Sequence, residues 1–383
     1  MIPYGKHNIS KEDIEAVVNV LNSDFITQGP MVPNFEAALS NYCNVKHALV
    51  TNSCTSALHL AYLSLGLKQD DIVWTSPITF VATVNSAKFC GAKVILVDVD
   101  PFTGLIDTKL LCIKLEKAKN SGTLPKVLTL VHLGGQSCDM KEIFRLSKVY
   151  GFRVIEDAAH AIGADYQNFK VGGCNYSDIT VFSFHPVKII TTGEGGALTT
   201  NNLDFFNAAF KLRSHGINKT FEKNINIDGP WYYEQISLGN NYRMTDFQAA
   251  LGVTQLGRID LLIESRREIA KWYDENIKLI GLDNFFEPLK RVEGANSSFH
   301  LYILLNNSSI PTKEIHKKMI EGGIGVNLHY IPIYKHPFHK QEISLPGAEQ
   351  YYEKAISIPI FPGLLIEERK KVLDRLLEIA TIM

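Results

Sequence analysis

In the first 212 residues, short apolar runs rich in β-branched residues alternate with segments of helical periodicity. The apolar runs predict seven strands, at 48–53, 72–77, 93–99, 126–133, 153–159, 179–185 and 195–200. The helical patterns fall at 11–22, 33–43, 55–65, 79–90, 108–118, 140–150 and 203–212. Several runs are apolar almost throughout, which is typical of strands covered on both faces. The alternation predicts an α/β fold, a mainly parallel seven-stranded sheet with helices on both faces. Ligands should bind at the carboxyl ends of its strands.

The last two predicted strands break this alternation. No long helix separates 179–185 from 195–200, and the connection lies within the Gly-containing stretch HPVKIITTGEGG. This pattern predicts a hairpin-like insertion that carries a functional loop.

The remainder of the chain has a different pattern. A helical periodicity runs from Thr245 to about Ile277 and could bridge two domains. A strand at 299–305, a helix at 312–321, the segment 325–330 and a final helix at 366–381 predict a smaller C-terminal α+β domain. We therefore predict a large domain over residues 1–254 and a small domain over residues 255–383.

Composition narrows the function classes. The 383 residues carry 39 basic and 40 acidic side chains, a net charge of −1, which argues against a basic nucleic-acid-binding scaffold and an acidic disordered tail. The chain shows no apolar signal-peptide core and no apolar run long enough for a membrane span. Its six cysteines form no CxxC pair, so we expect reduced thiols, a cytoplasmic location and no metal site.

Two predicted strands end in segments with polar chemistry. TNSCTSALHLA (51–61) passes from strand through a small polar turn to a helix, where Thr55 and Ser56 could form an anion site or a simple N-cap. VIEDAAHA (154–161) places Glu156 and Asp157 at the end of an apolar strand, where an acid is costly unless it is paired. Such an acid could hold a cation, bind a metal or accept hydrogen bonds from loop amides.

Two further segments carry a lysine and an aromatic ring. Lys188 follows an apolar strand and precedes a Gly-rich turn. It is either a solvated charge or a desolvated amine with a lowered pKa, able to form a Schiff base. Phe80 lies in WTSPITFVATVNSA (74–87), where a strand gives way to a helix, and is either a core residue or a flat stacking face.

A phosphate cradle, a strand-end aspartate, a loop lysine and a stacking ring together suit pyridoxal 5'-phosphate (PLP). The sequence resembles the sugar-nucleotide aminotransferases of the DegT/DnrJ type, which have the PLP-dependent transferase fold type I. The resemblance covers nearly the whole chain. Its main segments are TQGP (27–30), NSCTSALHLA (52–61), SPITFVATVNS (76–86), HLGGQSCDM (132–140), EDAAHAIGA (156–164), FSFHPVKIITTGEGG (182–196), RSHG (213–216), NNYRMTDFQAALG (240–252) and HYIPIY (329–334).

The resemblance implies two catalytic residues. Lys188 would hold PLP covalently and then move the proton. Asp157 would pair with the protonated pyridine nitrogen, so that the ring can act as an electron sink.

The other cofactor contacts follow from the same motifs. Phe80 would stack on the ring, and His160 would lie beside its phenolic oxygen. The phosphate would be held by Thr55, Ser56 and Ser183.

An asparagine of the neighbouring subunit also reaches this phosphate in the family. Its motif, Gly-aromatic-Asn-aromatic-Arg, reads Gly239-Asn240-Asn241-Tyr242-Arg243 here, so Asn241 is the matching residue and Asn240 departs from the pattern. The resemblance therefore implies a homodimer with two shared active sites.

The reaction implied is transfer of an amino group from L-glutamate to C4 of a UDP-linked 4-keto-6-deoxyhexose, most like the enzymes of pseudaminic acid biosynthesis. Plausible sugar contacts are Tyr4, Thr27, Asn241, His329 and Tyr330, although His329 could equally be structural. Alternatives are another 3- or 4-aminotransferase, a PLP-dependent sugar dehydratase, or a non-catalytic regulator. Lys188 argues against the dehydratase branch, which has histidine in its place.

Overall fold

A computed structural model describes residues 1–218, 229 and 231–381, and its centre is the predicted seven-stranded sheet. Its strands are β1 (His47–Thr51), β2 (Ile72–Thr75), β3 (Lys93–Leu96), β4 (Val127–Val131), β5 (Arg153–Asp157), β6 (Ile179–Ser183) and β7 (Gly196–Thr200). They lie in the order β1-β7-β6-β5-β4-β2-β3. Six of them end two or three residues earlier than predicted, because the terminal residues of each predicted run already turn into a loop.

The sheet is mainly parallel, as predicted. The strands β3, β2, β4, β5 and β6 are parallel neighbours. Strand β7 runs antiparallel to both β6 and β1, with Phe182 opposite Ala197. The hairpin-like insertion is therefore confirmed, and its loop, residues 184–195, lies at the same edge as the end of β5.

Helices cover both faces of the sheet. Val73 and Ile155 pack into one apolar cluster. Their chain neighbours Trp74 and Val154 pack into another cluster, on the opposite face of the sheet. This alternation buries both sides of each strand. In the described residues the helices are Lys11–Leu21, Met31–Cys43, Cys54–Ser64, Val81–Phe89, Thr108–Ser121, Met140–Tyr150, Leu203–Arg213, Asp246–Gly257, Ile259–Leu279, Thr312–Glu321, Pro346–Lys354 and Ile366–Thr381.

The C-terminal part is α+β, built on an antiparallel sheet. That sheet contains Phe286–Pro288, Tyr302–Asn306 and Ala355–Ile358, in this order. Two smaller sheets occur elsewhere. One has three short strands, in the order Ala295–Asn296, Asp165–Tyr166 and Phe169–Lys170, and the other pairs Ile217–Asn218 with Glu234–Gln235. The division at residues 254 and 255 stays a prediction.

Two segments of this region depart from regular structure. The periodicity from Thr245 to Ile277 is not one helix, because the chain breaks at Arg258, whose guanidinium bonds to Asp13 at 2.6 Å. The segment 325–330 is not a regular strand, since only Asn327 bridges to Ser357. Beyond that bridge the chain leaves the sheet and approaches the large sheet.

The described part of the chain contains no helix that is long and apolar enough to cross a membrane. All six cysteines are unpaired. Within the same residues, no group of three or more His, Cys, Asp or Glu side chains is arranged to hold a metal ion.

Candidate active site

Asp157 is the last residue of β5, and its side chain is buried at the carboxyl edge of the sheet. The residue is 5% exposed. Thr83 Oγ1 donates to its Oδ2 at 2.7 Å, and the amide of Ala159 donates to its Oδ1 at 3.2 Å. Burial raises the pKa of Asp157, although these hydrogen bonds and nearby Lys188 oppose the shift. The site therefore contains a carboxylate whose charge is costly until a cationic partner binds.

Lys188 lies in the loop between β6 and β7, partly buried, with its amide donating to His185 O at 2.9 Å. The loop is closed by a hydrogen bond from the Thr192 amide to Phe184 O. Burial lowers the pKa of Lys188 to about 8, while the neighbouring Cys54 and Asp157 oppose the shift. At pH 7 about a tenth of this amine would be unprotonated, far more than for an ordinary lysine, which suits a nucleophile.

The N-terminus of helix Cys54–Ser64 faces the same edge of the sheet. Ser53 caps it, because its Oγ accepts from the Ser56 amide at 3.1 Å. The Ser56 hydroxyl is buried and donates to Asn52 Oδ1 at 2.6 Å, whereas Thr55 is partly exposed. Gly196 permits the close approach of β7, since a Cβ there would lie 2.5 Å from the amide nitrogen of Cys54.

Ser183 ends β6 next to this helix terminus. Its residue is buried, and its Oγ accepts a long hydrogen bond of 3.5 Å from the His185 amide. Together with the helix dipole, the hydroxyl and amide groups of this corner suit an anion such as a phosphate.

Phe80 precedes helix Val81–Phe89 and remains 59% exposed, so it is not a core residue. Its ring centroid lies 6.1 Å from that of Tyr330, at an interplanar angle of 49°. An uncovered aromatic face beside buried polar groups is a suitable platform for a planar ligand.

Three histidines and a tyrosine complete the cluster. His160 Nε2 lies 2.9 Å from Tyr330 Oη, and its ring lies 4.4 Å from that of His300. His329 Nδ1 lies 2.8 Å from Ser357 Oγ. Burial, aided by the Lys188 charge, lowers the pKa of His329 to about 3 and that of His160 well below its usual value. These imidazoles are therefore neutral at physiological pH.

Of the other predicted substrate contacts, Tyr4 lies against this cluster, and Thr27 lies in a separate segment. The rings of Tyr4 and His329 are 5.7 Å apart. Thr27 is exposed and bridges to Thr245, in a segment anchored on the buried Asp246 carboxylate.

Asn241 has an exposed side chain, and its backbone carbonyl accepts from Asn52 Nδ2 of the same chain at 3.3 Å. Its position beside the helix terminus leaves the side chain free to face outward. The role across a subunit interface stays a prediction.

Glu156 has a structural environment. Its carboxylate is bonded by His132 Nε2 at 2.7 Å and by the hydroxyls of Ser177 and Thr180. Burial alone would raise the pKa of Glu156, but these hydrogen bonds lower it below the usual value. Glu156 thus has its partners already, and only Asp157 is available to a ligand cation.

Sequence reasoning missed Thr83, His300 and Cys54 as neighbours of the site. Thr83 could have been suspected as a polar residue three positions after Phe80, on the helix face turned towards the sheet. His300 comes from a distant part of the chain, two residues before the strand Tyr302–Asn306. No local pattern indicates its contact with His160.

The residues present fit PLP. One corner offers a desolvated amine, a buried carboxylate, an anion-binding helix terminus and an uncovered aromatic face. These four groups match the aldehyde, the pyridine nitrogen, the phosphate and the ring face of that cofactor.

Comparison with known proteins gives the same picture. Relatives include the UDP-4-amino-4,6-dideoxy-N-acetyl-beta-L-altrosamine transaminase of Campylobacter jejuni subsp. jejuni serotype O:23/36 (strain 81-176), 41% identical over 99% of this chain and 97% of its own length. Helicobacter pylori PseC, an aminotransferase involved in the biosynthesis of pseudoaminic acid, superposes with a TM-score of 0.90 at 34% identity, and each chain is covered completely.

A third similar protein is the putative sugar aminotransferase Spr1654 from Streptococcus pneumoniae in its PMP-form. It superposes with a TM-score of 0.89 at 27% identity and 99% coverage of both chains. These structures confirm the predicted fold class. Residues 7–377 match the family model described as the DegT/DnrJ/EryC1/StrS aminotransferase family. The chain therefore belongs to that family, as the resemblance predicted.

Proposed function

We propose that this protein is a PLP-dependent aminotransferase that moves an amino group from L-glutamate to C4 of a UDP-linked 4-keto-6-deoxyhexose. The observation that carries the proposal is the meeting of Lys188, Asp157 and the N-terminus of helix Cys54–Ser64 at one edge of the sheet. Bound PLP supplies an electron sink through which an amine can be exchanged for a carbonyl.

The roles of the protein groups follow from their surroundings. Lys188 Nζ, whose pKa is lowered by burial, holds the cofactor and afterwards moves a proton as the base. Asp157 is oriented by Thr83 and keeps the pyridine nitrogen protonated by its negative charge. One base can serve both half-reactions. Because the deaminated donor would leave before the sugar nucleotide binds, the kinetics should be ping-pong.

The cofactor is held by groups of two kinds. Thr55, Ser56 and Ser183 bind its phosphate beside the helix terminus, whose amides and dipole favour an anion. Phe80, which is 59% exposed, would cover one ring face, and His160 would lie near the ring's oxygen substituent.

The sugar assignment is supported by the Campylobacter and Helicobacter relatives named above. We propose the product UDP-4-amino-4,6-dideoxy-N-acetyl-β-L-altrosamine, used for pseudaminic acid. Tyr4, Thr27, Asn241, His329 and Tyr330 are the proposed sugar contacts. Of these, Tyr4, His329 and Tyr330 form one aromatic group beside His160.

The deciding experiment is an assay of the PLP-loaded protein with L-glutamate and a panel of UDP- and TDP-linked 3-keto and 4-keto sugars. Product analysis should show amination at C4 of the UDP-4-keto-6-deoxyhexose. Amination at C3 or loss of water from the sugar would refute the assignment. A visible band that does not shift to the ultraviolet when glutamate is added would favour a non-catalytic regulator.

We also propose a homodimer in which Asn241 of each subunit contacts the phosphate held by its partner. Mixing Lys188→Ala with Asn241→Ala subunits should restore activity, because both lesions fall in one site of the mixed dimer and leave the other intact. Mixing Lys188→Ala with Asp157→Asn is the matched control. Those two lesions always damage both sites, so no activity should return. Absence of recovery in the first mixture, after subunit exchange has been demonstrated, would contradict the shared site.

A further inference from the structure

A chain of two hydrogen bonds connects the large sheet to the C-terminal part through His160. The amide of Gly134 donates to His160 Nδ1 at 3.3 Å. On the other side of the ring, His160 Nε2 lies 2.9 Å from Tyr330 Oη. The rings of His160 and Tyr330 are stacked, with centroids 5.9 Å apart and an interplanar angle of 25°.

The direction of this chain is set by the Gly134 amide. A backbone N–H can only donate, so Nδ1 must present its lone pair. The imidazole is neutral, since burial and the Lys188 charge hold the pKa of His160 far below its usual value. Its single hydrogen is therefore on Nε2, and Tyr330 Oη is the acceptor of that hydrogen bond.

The Tyr330 hydroxyl consequently keeps its own hydrogen for another partner. Burial and the nearby Asp157 charge raise the pKa of Tyr330, so the phenol stays protonated. The ring is fixed between His160 and Phe80, the residue proposed to cover the cofactor ring. Among the described residues the Tyr330 hydroxyl has His160 as its hydrogen-bond partner, so its hydrogen is available to a ligand held beside Phe80.

We propose that His160 is a positioning residue, and that Tyr330 presents its hydroxyl hydrogen to an oxygen acceptor of the bound ligand. The acceptor is either the phenolic oxygen of the cofactor or the keto oxygen of the sugar. This inference rests on the proposed function for the identity of the ligand. The hydrogen-bond direction itself depends only on Gly134, His160 and Tyr330.

The direction can be measured without any substrate. In PLP-loaded protein labelled with ¹⁵N-histidine, the His160 signals, assigned by their loss in His160→Gln, should show hydrogen on Nε2 and none on Nδ1. Hydrogen on Nδ1 would overturn the proposal.

Tyr330→Phe separates the two possible acceptors, because it removes the hydroxyl and keeps the stacked ring. If the acceptor is the cofactor, the pH midpoint of the visible band of the substrate-free holoenzyme should move by about one unit. If the acceptor is the sugar, the dissociation constant of the PLP-form for the UDP-4-keto sugar should rise about tenfold in calorimetry. UDP alone, which lacks this oxygen, should bind both proteins equally.

Tyr334→Phe is the matched control. It removes a hydroxyl from the same HYIPIY segment, but this hydroxyl bonds to Glu349 at 3.4 Å. Neither the pH midpoint nor the dissociation constant should change in this variant.

Substitutions of His160 test its positioning role. His160→Leu should change the same quantity as Tyr330→Phe does, either the pH midpoint of the visible band or the dissociation constant for the sugar nucleotide, and by a similar amount. His160→Gln, which can still donate to Oη, should restore part of it. In the double variant His160→Leu/Tyr330→Phe the two effects should not add, because both act through one hydrogen bond.

Two outcomes must be kept apart. If the wild type binds no keto sugar nucleotide, the proposed function fails, and the cofactor arm and the histidine spectrum still decide the hydrogen-bond direction. If Tyr330→Phe has the same pH midpoint as the wild type, and also the same dissociation constant wherever the wild type binds a sugar nucleotide, the donor role of Tyr330 is refuted. This holds whatever the enzyme's substrate is.

Discussion

Replacing Asp157 by asparagine should separate what this residue costs the fold from what it contributes to catalysis. The substitution preserves shape and can still accept the hydrogen bond from Thr83. It removes the negative charge and one of the two acceptor oxygens, so the Ala159 amide at 3.2 Å loses its side-chain partner. By the proposed function that charge would pair with the protonated pyridine nitrogen, and removing one partner of a buried ion pair typically costs about 3–5 kcal/mol. At about 1.4 kcal/mol per decade, turnover should fall by roughly a thousandfold.

In the cofactor-free protein, Asp157→Asn should leave the stability of the fold unchanged or increase it. Burial raises the pKa of Asp157 above its unfolded value, so the folded chain holds the proton more tightly than the unfolded chain does. Ionisation at pH 7 therefore opposes folding, and this penalty disappears as the pH falls below the unfolded pKa. Asparagine removes the penalty. The thermal midpoint of cofactor-free Asp157→Asn at pH 7 should equal or exceed that of the wild type, and added PLP should raise it less.

The assays are single-turnover amination with glutamate, followed in the visible band, and calorimetric unfolding with and without PLP. Asp178→Asn is a matched control, because it removes a carboxylate paired with Arg153 at 2.9 Å, just before the other end of β6. Its turnover should be close to that of the wild type. Near wild-type turnover in Asp157→Asn itself would refute the assignment of Asp157 as the partner of the ring nitrogen.

Three other changes test neighbouring parts of the site. Thr83→Val removes one hydrogen bond to the Asp157 carboxylate, which is worth about 1.5–3 kcal/mol. The kcat should therefore fall roughly ten- to a hundredfold, which is less than in Asp157→Asn. An unchanged kcat would contradict the role of Thr83. The rate at which cofactor-free protein recombines with PLP should rise with pH and level off above about 8, as the Lys188 amine loses its proton. In stopped-flow absorbance, a rate that keeps rising past about pH 9 without levelling off would show that the pKa of Lys188 is not lowered. Asp246→Ala removes the carboxylate that accepts hydrogen bonds from the Gly29 and Met31 amides. In urea titrations the free energy of unfolding should fall by about 2–4 kcal/mol, and KM for the sugar nucleotide should rise. An unchanged unfolding curve would contradict this structural role of Asp246.

The parts of the fold that sequence could predict are those with local signals. The seven strands of the large sheet are apolar runs buried on both faces, and their helices have clear periodicity. The C-terminal region was predicted less well. Helix Pro346–Lys354 was missed because the chain before it has no strong periodicity, and it begins where the Asp98 carboxylate accepts from the Gly347 and Ala348 amides. That cap comes from a residue far away in the sequence.

The same distinction applies to the candidate site. Lys188 and Asp157 could be proposed from the sequence because each places a charge next to an apolar strand. Thr83 and His300 were not found, because their contacts with Asp157 and His160 join segments more than 70 residues apart. Family motifs bring such residues together only where a motif contains them. The structure was needed to show which neighbours set the charge and the protonation of the predicted groups.

The resulting site is unfavourable in the absence of its ligand, and this follows from its chemistry. Burial raises the pKa of Asp157 and lowers that of Lys188, so each charged form is destabilised by the same dry corner. PLP would take up the Lys188 amine in a bond that favours its unprotonated form and would supply a cation to the carboxylate, so both penalties would fall together. Binding energy of that origin stabilises only the folded chain. Strong cofactor binding and low stability of the cofactor-free protein therefore have the same origin. A substitution in this site that stabilises the cofactor-free protein should weaken cofactor binding.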